Sequence, residues 1–178
     1  MKTHEMIDGC LDQALNLVTR PGTALEFGVH TGRTLRRIVE GMPAGSRVVG
    51  FDSFDGLPEF WRDGFGPGTF RTKPPVVPGA ELVVGLFDAT LPAWPVPGDV
   101  VLVHVDCDLY SSTRTVLEHI GPHLAPGALI VFDEFHGYPG AEAHEARAWA
   151  EWTERTGAAW TRLAEGPEQL LIRIEEAS

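Results

Sequence analysis

Apolar residues recur along the chain in two alternating rhythms. Met6, Ile7, Cys10, Leu11, Ala14, Leu15 and Val18 fall at helical spacing. Residues 5–19 are therefore expected to form an amphipathic helix, stopped by Arg20-Pro21-Gly22. Ala24 to Val29 reads as a buried strand, and Thr31-Gly32-Arg33-Thr34 turns the chain into a second helix ending near Gly41-Met42-Pro43. Further apolar runs at 46–51, 81–85, 100–105 and 127–132 predict strands. Ser111-Ser112-Thr113 offer N-caps for a helix with Val116, Leu117, Ile120 and Leu124 on one face. Residues 142–156 predict a helix carrying Trp149 and Trp152, and two last runs cover 158–163 and 169–174.

Alternation of strands and helices predicts a parallel sheet with helices on both faces. Only Ala164 to Glu168 separate the last two runs, too few residues for a parallel crossover, so these strands form an antiparallel hairpin. The expected fold is α/β and Rossmann-like: a mostly parallel seven-stranded sheet with an antiparallel terminal strand. That is the layout of class I methyltransferases. No repeat or boundary divides the chain, so residues 1–178 are expected to form one domain. The segment 56–79 is rich in Gly, Pro and aromatics and shows no period. It predicts a long active-site loop with at most one short helix.

The 178 residues carry 14 Lys+Arg against 25 Asp+Glu, a net charge of −11. That balance argues against nucleic acid or an anionic membrane surface as the main partner. Cys10 and Cys107 have no metal or disulfide spacing. The start, MKTHEMIDG, holds no apolar stretch of the leader type, so a cytoplasmic protein is expected.

Open α/β sheets bind ligands beyond the carboxyl ends of their strands. Those ends carry Glu26, Asp52, Asp88, Asp106 and Asp133-Glu134. In Glu26-Phe27-Gly28-Val29-His30-Thr31-Gly32 the glycines let the backbone approach a ligand. Glu26 would repel a phosphate but suits an ammonium group, which favours S-adenosylmethionine over NAD. Asp52 can accept ribose hydroxyls with either cofactor. Asp88 can bind an adenine amino group or simply close a turn.

Asp106-Cys107-Asp108 and Asp133-Glu134 end two strands expected to be neighbours. Carboxylates converging there repel one another unless a cation lies among them, and oxygen-only ligands suit Mg²⁺ or Ca²⁺. The plainer alternative makes Asp108 a helix cap and leaves Glu134 facing water. His104, in an apolar strand, reads as a core residue, and His144-Glu145 starts no H-E-x-x-H zinc motif. An NAD-type oxidoreductase and a non-catalytic binding domain are the competing functional readings.

Phe51-Asp52-Ser53-Phe54-Asp55-Gly56-Leu57-Pro58 resembles the F-D-S-F-E-G-L-P signature of macrocin-type (TylF/MycF-like) sugar O-methyltransferases. Asp106-Cys107-Asp108-Leu109-Tyr110-Ser111-Ser112-Thr113 is similar to their D-x-D-L-Y-x-S-T segment, Leu86 to Pro92 to their stretch ending T-L-P, and Pro126 to Phe135 to their P-G…D-[DE]-[YF] strand. The resemblance spans residues 24–155. It implies S-adenosylmethionine as methyl donor and a small-molecule acceptor, a sugar hydroxyl of a natural product. It also implies Mg²⁺ held at Asp106, Asp133 and Glu134, with Asp106 or Asp108 taking the proton. The donor's amino-acid part is expected at Glu26, Phe27, Gly28, Thr31 and Gly32. Its ribose is expected at Asp52, Ser53 and Phe54, and its adenine at Asp88 and Ala89, with Asp106 nearby. Glu134 stands where the antibiotic-pathway enzymes more often have Asp, a longer arm that would move the ion. Little chain precedes residue 20, where those enzymes carry longer segments. The loop 56–79 or a partner copy, as in a homodimer, is expected to close the site.

Overall fold

The computed structural model describes residues 9–176. Its centre is β4, Val100–Val105, a V-V-L-V-H-V run buried at every position. A strand covered on both faces must be apolar throughout rather than alternating. β1 (Thr23–Phe27) lies on one side of it and β5 (Leu129–Phe132) on the other, both buried along their whole length. β2 (Arg47–Asp52) and β3 (Glu81–Val84) extend the sheet beyond β1, all in parallel. β6 (Trp160–Glu165) and β7 (Leu170–Ile174) form the expected hairpin, and the sheet order is β3-β2-β1-β4-β5-β7-β6. β7 is the single reversed strand, antiparallel to both β5 and β6, so it lies inside the sheet and β6 forms the edge.

Alternate residues of each central strand feed two cores. Leu102, Leu129 and Val131 pack with Leu11 and Ala14 of α1 (Gly9–Leu17) and Leu35 and Ile38 of α2 (Arg33–Gly41). Val103, Val105, Ile130 and Phe132 pack with Val116, Leu117 and Ile120 on the other face, together with Trp149 and Trp152. These residues belong to α4 (Tyr110–Ile120) and α5 (Glu145–Thr156); α3 is a single turn, Phe87–Thr90. The expected start of the first helix at residue 5 lies outside the described residues. No helix among the described residues is long and apolar enough to cross a membrane.

One local expectation fails. Ser111, Ser112 and Thr113 do not cap α4, which starts at Tyr110 with Leu109 at the N-cap and no side-chain cap bond. Burial of Leu109, 1% exposed, sets the entry of this helix, and Ser111 Oγ instead donates to Glu59 Oε1 at 2.5 Å. The segment 56–79 contains no helix, and it is not structureless either. The Leu57 N–H donates to Thr69 O and the Gly68 N–H to Leu57 O, both at 2.8 Å. Trp61 packs with Leu57, Leu109, Tyr138 and Ala141, and its Nε1 donates to Tyr138 Oη at 3.3 Å. Loops of this kind are held by their own side chains. Gly56 makes the closure possible: φ is +83°, and a Cβ there would lie 2.3 Å from Thr69 O.

Candidate active site

The C-terminal ends of β1 to β5 open into a cleft of about 460 Å³, roofed by residues of the 56–79 loop. This volume is within the range of small-molecule sites. Gly28, Asp52, Ser53, Asp88, Asp106, Asp108 and Glu134 all line it. Four non-glycine residues in the described chain have left-handed backbone: His30, Phe54, Phe70 and Asp108, with φ of 49°, 59°, 68° and 64°. Three of these line the cleft. Such strain persists only where surrounding structure enforces it, and it gathers at functional sites.

Asp52 ends β2 and spends both oxygens on main chain. Oδ2 accepts the N–H groups of Val29 and His30 at 2.9 and 2.8 Å, and Oδ1 accepts that of Phe54 at 2.8 Å. It thereby fixes the glycine turn while still facing the cleft. Gly28, with φ +95°, lets this turn lie against the main chain of Asp106.

Asp106, Asp108 and Glu134 converge: each offers an oxygen within 4.8 Å of the others. The Asp108 carboxyl is pushed up to about 7, chiefly by burial and then by the Asp133 charge, while nearby Arg62 opposes the rise. Asp106 and Glu134 are also pushed well above the usual carboxylate range, by burial first and then by the neighbouring acids. Arg62 sits on the loop with its guanidinium 3.9 Å from the Trp61 ring centre and 4.5 Å from that of Tyr138.

Not every expected site residue reaches the cleft. Asp133 stands outside the cleft wall and outside the converging trio, with Oδ1 accepting from Gln169 Nε2 at 3.3 Å, yet its charge lies close enough to raise both Asp106 and Asp108. Asp108 takes the third place in the group. Glu26 is fully buried, with Oε1 3.0 Å from His104 Nδ1. It therefore lies beneath the cleft rather than in its wall, and His104 is the core residue its setting suggested. Phe27 is buried and stacked on Phe51 at 4.8 Å, and Phe54 is buried in the core. Thr31, Gly32 and Ala89 lie outside the cleft wall.

Glu145, passed over in the sequence, lies behind the acid group. It is fully buried, its Oε2 accepts the Glu134 N–H at 3.2 Å, and burial followed by the Asp108 charge pushes its carboxyl well up. The signal was available. Glu145, Ala148, Trp149 and Trp152 share the buried face of α5, and a carboxylate on an otherwise apolar stripe needs a reason to be there.

Residues 25–135 match the family described as methyltransferase domain. The chain belongs to this family. Among related proteins, this methyltransferase domain is 26% identical over 140 residues to the 8-demethyl-8-(2,3-dimethoxy-α-L-rhamnosyl)-tetracenomycin-C 4′-O-methyltransferase of Streptomyces olivaceus. The match covers 65% of this chain and 53% of that protein, so the chain spans about half the length of the curated relative. The crystal structure of CalS11, a calicheamicin methyltransferase, superposes with a TM-score of 0.74 at 28% identity over 97% of this chain and 80% of that one. A second, apo structure describes CalS11 as a TDP-rhamnose 3′-O-methyltransferase, with a TM-score of 0.67, 27% identity and coverage of 97% and 81%. The O-methyltransferase NovP gives 0.74 at 20% identity, covering 96% and 79%, a likeness of fold. Membership of the methyltransferase family sets aside the NAD-type oxidoreductase.

Proposed function

We propose that the methyltransferase domain transfers the methyl group of S-adenosylmethionine to a sugar hydroxyl of a glycosylated natural product. The activities for which the tetracenomycin enzyme and CalS11 are named, both on rhamnose-bearing molecules, support the acceptor class. The single observation that carries the chemistry is Asp108, buried, strained and pushed up to about 7, facing the cleft. A base works best when its pKa lies near the operating pH.

In this reading the donor's ribose and adenine lie toward Ser53, Leu86 and Asp88, and the acceptor lies under the loop between Trp61, Phe70 and Ser112. The loop excludes water and holds the hydroxyl in line with the methyl carbon, which is the largest expected contribution. The acceptor oxygen forms a bond to that carbon as the carbon–sulfur bond breaks. S-adenosylhomocysteine is released, and the hydroxyl proton passes to Asp108.

The acid group fits a divalent cation such as Mg²⁺. Its donors are all oxygen, and Glu134 Oε2 is buried without a partner. Asp106, Asp108 and Glu134 would hold the ion. When bound it would lower the pKa of the acceptor hydroxyl and help to orient it. Calorimetric titration with S-adenosylhomocysteine, followed by transfer of labelled methyl to TDP-rhamnose and rhamnosylated polyketides, tests the reading. Saturable donor binding with label on the sugar supports it, and absence of donor binding contradicts it.

A further inference from the structure

Tyr138 follows the acidic turn after β5 and stands behind the cleft wall rather than in it. Two residues that do line the cleft rest on it. The Trp61 ring meets it edge-on, with centres 5.7 Å apart, and the Arg62 guanidinium lies 4.5 Å from its ring centre. Leu57, Leu109 and Ala141 share the same buried cluster, and Leu109 directly follows Asp108. The Tyr138 hydroxyl is used twice. Its oxygen accepts from Trp61 Nε1 at 3.3 Å, and its proton is donated to the Glu134 carbonyl oxygen at 3.3 Å. A hydroxyl can accept and donate through one oxygen. The loop over the cleft and the acidic turn are thereby joined through a single atom. A second tie runs beside it. Arg62 Nη1 lies 3.8 Å from Glu168 Oε2, and Glu168 O accepts the N–H groups of Phe135 and His136 at 2.7 and 3.2 Å.

We propose that Tyr138 is a positioning residue that sets the distance between the Trp61 wall of the acceptor space and the acid group. The proposal rests on the methyl-transfer reading above. Tyr138→Phe keeps the ring and its packing but removes the hydroxyl, so Trp61 Nε1 and the Glu134 carbonyl lose the atom they share. Trp61 is then free to tilt, and the acceptor hydroxyl is held less closely in line with the methyl carbon. A misplacement of about 1 Å can cost about 10²-fold in rate. The donor half of the cleft, at Ser53, Leu86 and Asp88, belongs to the ends of β2 and β3 and to α3, so it should not feel the change.

The test is steady-state methyl transfer to a rhamnosylated polyketide or TDP-rhamnose, whichever the wild type labels, read beside S-adenosylhomocysteine affinity and melting temperature. Tyr138→Phe is expected to lower kcat/KM for the acceptor by about 10–100-fold, with donor affinity unchanged. Trp61→Phe removes the donor at the other end of the same link and should also lower it. The double variant should be no worse than Trp61→Phe alone, because both changes break one interaction. A lower melting temperature with unchanged acceptor kinetics makes Tyr138 a packing residue and overturns the proposal, as do additive losses in the double variant. If Tyr138→Phe fails to fold, Trp61→Phe decides: a loss confined to the acceptor supports the link, and unchanged acceptor kinetics overturn it. Donor binding by wild type without methyl transfer to either acceptor overturns the functional reading and the proposal with it.

Discussion

Gly28 and Asp106 lie in contact, main chain to main chain: a Cβ added at Gly28 would fall 1.7 Å from the Asp106 carbonyl oxygen. The turn after β1 and the acidic turn after β4 are therefore one unit, and the space at their junction is closed to any side chain. Gly28→Ala must push the two turns apart. The positive φ alone costs about 1–2 kcal/mol, and the clash adds to it. In a domain of this size that lowers the melting temperature by several degrees, on the order of 2–4 °C per kcal/mol. Calorimetry should show the loss, together with weakened S-adenosylhomocysteine binding.

Asp108→Asn is expected to lower kcat by roughly 10²–10⁴-fold if Asp108 is the base. Donor affinity should hardly change, because the donor half of the cleft is built from other residues. Steady-state kinetics and a donor titration on the same preparation check both parts.

Stability should fall as pH rises. Unfolded carboxyls titrate near 4, while Asp108 in the folded chain titrates at about 7 and Asp106 and Glu134 also lie well above normal. Between these values the folded protein holds protons that the unfolded chain has already released, so deprotonation costs folded stability. In the presence of a chelator the melting temperature should drop from about pH 4 to about pH 7. The drop should be smaller in Asp108→Asn, and added Mg²⁺ should restore more stability at pH 8 than at pH 5.

The two neighbouring acids after β5 should behave differently. Glu134→Gln is expected to weaken Mn²⁺ binding, since Glu134 belongs to the converging group. Asp133→Asn should weaken that binding less, because Asp133 stands outside the trio and acts on it through its charge. Paramagnetic resonance titration of both variants distinguishes them.

Much of the sheet was legible because its central strands are continuous apolar runs, and Val100–Val105 admits little else. The short spacing at 164–168 likewise forced the hairpin, although not the position of β7 inside the sheet. Strand-end acids located the cleft. Their partners were not legible, because these depend on which way each side chain leaves the strand. Glu26 points into the core toward His104, and Asp133 bonds Gln169 outside the converging trio. Asp108 joins the group through a left-handed backbone that residue type alone does not reveal. The loop's order depends on Trp61 meeting Tyr138, 77 positions later in the chain, a contact without local periodicity.

The most direct measurement is a crystal structure with S-adenosylhomocysteine and Mn²⁺, recorded at the manganese absorption edge. The expected result is donor density along Gly28, Asp52 and Asp88 with an anomalous peak held by Asp106, Asp108 and Glu134. Donor density elsewhere, or a saturated crystal with no manganese peak at those three carboxylates, would contradict the cleft as the place where donor and cation meet.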